Sequence, residues 1–153
     1  MVIKEIKSIS ADVQAAFQRL IPQLSATARI PSLAHLEALV QSPHVFLLAV
    51  YADDTVQRTP SGGEGGQIVG ILTLAKYLIP TGERFWIEDV VIDERVRGKG
   101  VGKLLTGYAI QFAKAQGATA IELTSNPNRV VANQLYQSLG FKRRETNTYR
   151  LTF

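Results

Sequence analysis

At 153 residues, 46% hydrophobic and 20% charged, the chain is too apolar for disorder and long enough to bury one core, so a single domain over 1–153 is expected. No apolar run nears the ~18 residues of a membrane span, the opening MVIKEIKSIS lacks a signal-peptide core, and there is no cysteine, so disulfides and an acyl-cysteine intermediate are excluded and a cytoplasmic chain without membrane contact is expected. A net charge of +4 helps attract a polyanion, but no aromatic-and-basic motif accompanies it, so nucleic acid is not an expected partner.

Val2 to Lys7 alternates like a short strand. Ser10 is a candidate N-cap for a helix with Val13, Ala16, Phe17 and Leu20 on one face, ended or kinked by Pro22. A second helix fits Pro31 to Gln41, with Leu33, Leu36, Leu39 and Val40 inward, and His44 to Tyr51 is an apolar strand. Asp53 to Gly66, glycine-rich and without apolar pattern, reads as a hairpin tip, with a substrate-gating loop as the functional alternative. Gln67 to Leu78 returns as a strand, and Pro80-Thr81-Gly82 turns into a strand over Phe85 to Ile92. From Val101 the period becomes helical, with Val101, Leu104, Leu105, Tyr108, Ala109, Phe112 and Ala113 on one face and Gly117 at the end. Thr119 to Thr124 is a strand and Arg129 to Leu139 a helix. Phe141 to Glu145 and Thr148 to Phe153 are two closing strands.

Three glycines, Gly98, Gly100 and Gly102, sit where the Phe85–Ile92 strand hands over to the helix. Unpaired N–H groups and the positive end of the helix dipole converge there, and the absence of a Cβ lets an anion approach the backbone. This is a phosphate or pyrophosphate site. It is not a P-loop, because Gly102-Lys103 is followed by Leu104, and not a Rossmann fingerprint, because Lys103 stands where the last glycine belongs.

The segment Arg97-Gly98-Lys99-Gly100-Val101-Gly102-Lys103 resembles the acyl-CoA motif of the GNAT superfamily, Arg/Gln-x-x-Gly-x-Gly/Ala, through Arg97, Gly100 and Gly102. A second segment in the expected order, Ala132 to Phe141 (ANQLYQSLGF), is also similar to that family. The resemblance implies an α/β GNAT fold. Its central twisted sheet is mixed but mostly antiparallel, with six to seven strands, about four flanking helices and a splayed central strand pair, here Phe85–Ile92 and Thr119–Thr124. It implies an N-acetyltransferase that moves acetyl from acetyl-CoA to a primary amine, on a small molecule or peptide, by direct attack in a ternary complex without a metal. A homodimer is among the assemblies open to it. The IEDVV–D–RGK run is similar to glucosamine-phosphate N-acetyltransferases, so an amino-sugar phosphate is an alternative acceptor. A non-catalytic acyl-CoA sensor is the rival from another class.

The resemblance assigns the pyrophosphate to the backbone of Arg97, Gly98, Lys99, Gly100, Val101, Gly102 and Lys103, and the pantetheine arm to Val90, Val91 and Ile92. Tyr136 matches the family tyrosine near the sulfur, and a phenol with pKa about 10 can donate a proton at neutral pH. Many relatives carry an asparagine seven residues earlier; here Arg129 stands there, and Asn128 and Asn133 are the nearest amides for that cofactor contact. An amine near pKa 10.4 must lose a proton before it attacks, and Glu88 and Asp89, which interrupt an apolar strand, are the base candidates. Successive strand residues point to opposite faces, so one of them faces the acceptor. Glu83 is a weaker candidate. Asp93 and Glu94 read as a surface turn, and His35 and His44 as structural or surface residues.

Overall fold

The computed structural model describes residues 1–25, 27–52 and 66–153. The chain forms one sheet of five strands in sequence order, β1 (Val2–Ile6), β2 (Val45–Tyr51), β3 (Ile68–Ile79), β4 (Gly82–Ile92) and β5 (Ile121–Leu123). The first four are antiparallel neighbours; β5 joins β4 in parallel. Four helices accompany them: α1 (Ala11–Leu24), α2 (Leu33–Gln41), α3 (Val101–Ala115) and α4 (Val130–Ser138).

β2 is a near-continuous apolar run because both its faces are covered. Leu47 and Ala49 face a cluster with Phe17 and Leu20 of α1 and Leu36 of α2. Leu48 and Val50 face the other cluster, with Phe85, Ile87 and the α3 residues Val101, Leu105, Ala109 and Ala113. Burying a leucine-sized side chain is worth about 1.5–3 kcal/mol, so these two layers dominate the stability of the sheet. They hold β4 inside the sheet, between β3 and the short edge strand β5, with α3 starting just beyond its C-terminal end.

Several elements depart from the sequence reading. The helix carrying Pro22 runs on to Leu24, because a proline in the last turn forfeits only one backbone bond. Ser32 caps α2, and among its stripe only Leu36 is fully buried, while Leu33 is exposed. The buried face of α3 follows the i, i+4 series from Val101 and includes Thr106, leaving Leu104 and Tyr108 at the solvent shoulder. Among the described residues the sheet has five strands, not six to seven, since Phe141–Glu145 and Thr148–Phe153 form none. The junction between them, Thr146-Asn147, contains no glycine, and a two-residue hairpin turn needs positive φ at its first central position, which β-branched threonine resists. The gating or hairpin-tip reading of Asp53–Gly66 falls on residues 53–65, outside the described residues.

Candidate active site

β4 and β5 are partners at only three positions, Phe85 with Ile121, Trp86 with Glu122 and Ile87 with Leu123. β4 continues for five more residues to Ile92, so its edge on that side has no strand beside it. On its other edge the register with β3 slips between Ile71 and Thr73, where two residues of β4, Asp89 and Val90, face Leu72 alone. Asp89 at this bulge has φ +51, the only non-glycine among the described residues in the left-handed region. A bulge of this kind bends the strand and re-aims its side chains. Strict alternation therefore does not hold across Glu88 and Asp89, and the expectation that one of them faces the acceptor loses its geometric basis. Both are exposed, and neither lines the cleft described below.

Asp93, expected on a surface turn, is 1% exposed. Its carboxylate accepts from Arg19 Nε at 3.0 Å and from Arg95 through Nε at 2.9 Å and a terminal nitrogen at 2.6 Å. It also accepts from the Arg95 backbone N–H at 3.1 Å, capping the short 3-10 turn Glu94–Val96. The site is shallow, with the half-exposed Arg95 as its cover. The Arg95 hydrogen bonds outweigh desolvation and hold the Asp93 carboxyl far below the usual carboxylate range. Arg19 also donates to Ile68 O, so one ion cluster ties α1, β3 and the start of the glycine loop together. Arg97 Nε donates to Ile92 O at 2.9 Å, and Gln23 Oε1 accepts from Glu94 N at 2.9 Å and Arg97 at 3.3 Å. The Arg97 side chain thus braces the loop, leaving its backbone for a ligand.

Gly98 and Gly100 have φ +76 and +78, conformations that side chains with a Cβ resist. Gly100 is the N-cap of α3 and supplies no side-chain cap, so the first N–H groups of the helix lack partners of that kind. Gly102 serves a different purpose. A Cβ there would lie 3.1 Å from Leu135 Cδ1, so this glycine lets α4 approach α3.

A cleft of about 610 Å³ opens between these parts. Its walls include Val90, Val91 and Ile92 of β4, Arg97, Gly98, Gly100, Val101, Gly102 and Lys103 of the loop and helix start, and Asn128, Arg129 and Tyr136 around α4. Of the residues expected to hold a cofactor, Lys99 and Asn133 are not among the lining residues. The Asn133 amide instead donates to Asn126 O at 2.9 Å and Arg129 O at 3.0 Å, fixing the turn before α4. Glu83 pairs with Lys76 at 2.9 Å near the opposite end of β4, and His35 and His44 are exposed away from the cleft.

Tyr136 is half-buried, with its ring 5.9 Å from that of Phe141 in an edge-on contact. Burial raises its pKa and the nearby Arg129 charge partly lowers it, so the hydroxyl keeps its proton at neutral pH. Desolvation, then the charge of Asp89, raises the pKa of Glu88, against a hydrogen bond from Trp86. Sequence reasoning missed two cleft groups as contributors. Arg129 was visible only as a departure from the expected asparagine. Thr106 Oγ1 is buried without a hydrogen-bond partner in the cleft wall, and a lone threonine in an apolar helix carries no sequence signal. An orphan buried hydroxyl, a free strand edge and an uncapped helix start all fit a ligand combining phosphates with amides, as CoA does.

Residues 29–141 match the Acetyltransferase (GNAT) family model. An N-acetyltransferase of Bacillus subtilis, YhdJ, itself uncharacterized, is 34% identical over 71% of this chain and 70% of its own length. Mycothiol acetyltransferase of Renibacterium salmoninarum is 32% identical over 76% of this chain, but that covers only 33% of the relative. Among solved structures, an aminoglycoside acetyltransferase from an uncultured soil metagenomic sample, in complex with sisomicin, superposes over 99% of this chain and 96% of its own, with TM-score 0.78 and 16% identity. A second, AAC(6')-Iy in complex with a CoA bisubstrate analogue, covers 99% of this chain and 98% of its own at TM-score 0.73 and 19% identity. The family match and the YhdJ relationship place the chain in the GNAT family, as an acyl-CoA-dependent N-acetyltransferase.

Proposed function

We propose that the chain transfers acetyl from acetyl-CoA to a primary amine by direct attack, with both substrates bound together. The donor supplies an acetyl thioester. Backbone N–H groups of the Gly98–Lys103 segment bind the pyrophosphate, and the unpaired β4 edge at Val90–Ile92 aligns the pantetheine arm as an added strand would. An N–H of that edge polarises the thioester carbonyl. The Tyr136 hydroxyl gives its proton to the departing sulfur. Glu88 or Asp89 takes the amine proton through water, since neither carboxylate lines the cleft.

The observation that carries this reading is a single cleft shared by the uncapped start of α3, the free edge of β4 and Tyr136. Turnover of acetyl-CoA with polyamines, amino acids, amino sugars and their phosphates, aminoglycosides and peptides tests it. Release of free CoA with at least one class is expected. CoA binding with no turnover across the panel would leave the sensor reading in its place.

One observation ranks the acceptors. The Arg129 side chain enters no hydrogen bond or ion pair among the described residues and adds its charge beside Tyr136. Standing beside Tyr136, it disfavours polycations and favours an amine that also carries a carboxylate or phosphate. Amino acids and amino-sugar phosphates should therefore exceed aminoglycosides and polyamines in kcat/KM. The relatives named N-acetylaspartate synthetase, 32% identical over 50% of this chain in Danio rerio and spanning 36% of that protein, agree with this ranking.

A further inference from the structure

Among the described residues α1 contributes a single residue to the cleft wall, the half-buried Gln23 in its last turn. Gln23 and Arg19 stand one turn apart on the same helix face, and both reach the start of the glycine loop. Arg19 takes the Asp93 carboxylate, while Gln23 Oε1 accepts from the Glu94 N–H at 2.9 Å and from the Arg97 guanidinium at 3.3 Å. Both partners can only donate, so the contacts settle which end of the amide is which: the oxygen is held on the loop, and the nitrogen keeps two N–H groups to place. One of them donates to Arg19 O at 3.3 Å. The other meets no acceptor among the described residues. With its oxygen occupied, the amide offers the cleft a donor and no competing acceptor, which suits an anion. The Arg97 guanidinium beside it is already committed to Ile92 O and to Gln23 itself.

We propose that Gln23 is a donor-binding residue: its remaining amide N–H bonds a pyrophosphate oxygen of bound acetyl-CoA and closes the phosphate site from the α1 side. This rests on the reading that the glycine loop holds the pyrophosphate, and adds a contact from the other half of the chain. Its place along the donor follows from its anchors. Glu94 and Arg97 lead directly into the Gly98–Lys103 segment, so the amide lies at the phosphate end of the cleft and not beside Tyr136, where the thioester belongs. One amide then carries the loop on its oxygen and the ligand on its nitrogen. A phosphate on the N–H polarises the amide and strengthens the two bonds its oxygen accepts. The last turn of α1 and the glycine loop therefore tighten together when the donor binds.

Side-chain amide spectra of isotope-labelled protein read the contact directly. Saturation with CoA should move one Gln23 amide proton downfield and leave the other, held by Arg19 O, nearly in place. Pantetheine, which has no phosphate, should move neither, and dephospho-CoA, which keeps the pyrophosphate, should act as CoA does. Two variants separate contact from bracing. Gln23→Glu keeps an acceptor for Glu94 and Arg97 but has no N–H for a phosphate, whereas Gln23→Met loses both. CoA affinity should fall roughly tenfold in Gln23→Met and further in Gln23→Glu, at an ionic strength that screens charges out of contact. A residue that only braces the loop gives the opposite order, with the glutamate near wild type. That order, or a Gln23 amide unmoved while the Gly98–Lys103 backbone amides shift with CoA, would overturn the contact and leave the phosphate loop standing. If those backbone amides also stay in place, the loop reading falls with it.

Discussion

Along its β3 side, β4 is partnered from Gly82 to Ile92 with one bulge; along its β5 side it is partnered only from Phe85 to Ile87. The first edge is structural. Its side chains enter the two apolar clusters, and its end is locked by the Asp93 ion cluster. The second edge leaves the last five residues without a strand beside them, and the last three, Val90 to Ile92, line the cleft. Since unpaired backbone groups are costly unless a ligand or water meets them, the second edge is where binding belongs. The contrast predicts that changes on the locked side cost stability and changes on the open side cost function.

The largest loss of stability is expected on the locked side. Asp93→Ala leaves Arg19 and Arg95 without their carboxylate and, since both guanidinium groups reach solvent, should destabilise by ~1–3 kcal/mol, read as a lower urea midpoint at neutral pH. The Asp93 pKa is depressed in the folded state against about 3.9 unfolded, so its contribution is full above about pH 5. It is lost as pH falls through that unfolded value toward the folded one. The gap between wild type and Asp93→Ala should accordingly shrink in acid. A gap that stayed constant down to pH 3 would mean Asp93 is not the anchor.

On the open side Tyr136→Phe removes one oxygen and keeps the ring against Phe141. Loss of a general acid typically costs 10²–10⁴-fold, so kcat should fall at least ~100-fold with acetyl-CoA affinity little changed. With an aryl thioester, whose leaving group is better, the loss should shrink. Equal losses for both donors would make the tyrosine a packing residue.

Gly100→Val should weaken CoA binding more than tenfold, ~1.4 kcal/mol or more. An added Cβ meets nothing within 4 Å in the free protein, so the loss would come from its φ of +78 and from the excluded anion. Gly107→Ala, on the same helix with equally open space, should keep CoA affinity. Equal affinities for the two variants in calorimetry would detach the loop from the ligand.

The smallest effect belongs to the base. Glu88→Gln should lower kcat/KM by about tenfold above the raised pKa of Glu88, where its carboxylate can accept a proton, and little below it, flattening the acid limb of the pH profile. A profile unchanged in shape would point to solvent or another group as the proton acceptor.

The glycine loop was legible in the sequence because its signal is local: three glycines after one strand and before one helix. The α1 face was legible for the same reason, with Val13, Ala16, Phe17 and Leu20 all buried. Features set by distant partners were not. The bulge at Asp89 depends on how β3 registers against β4, and alternation counted along β4 alone could not reveal it. Asp93 looks like any turn acid until Arg19, 74 residues away, arrives beside it. The closing segments carry strand-like residues, but among the described residues they pair with no strand of the sheet. Arg129 was noticed as a departure, and only the fold puts it in the cleft beside Tyr136.

The central claim is that a donor nucleotide occupies the gap where β4 and β5 part. Titration of isotope-labelled protein with CoA, followed by backbone amide shifts, tests it most directly. The largest shifts are expected at Val90, Val91 and Ile92 and from Gly98 to Lys103, with smaller ones at Asn128 and Arg129 and little change along β1 and β2. Saturable binding whose shifts avoid β4 and the glycine loop, or fall on the β1–β2 edge, would contradict the account.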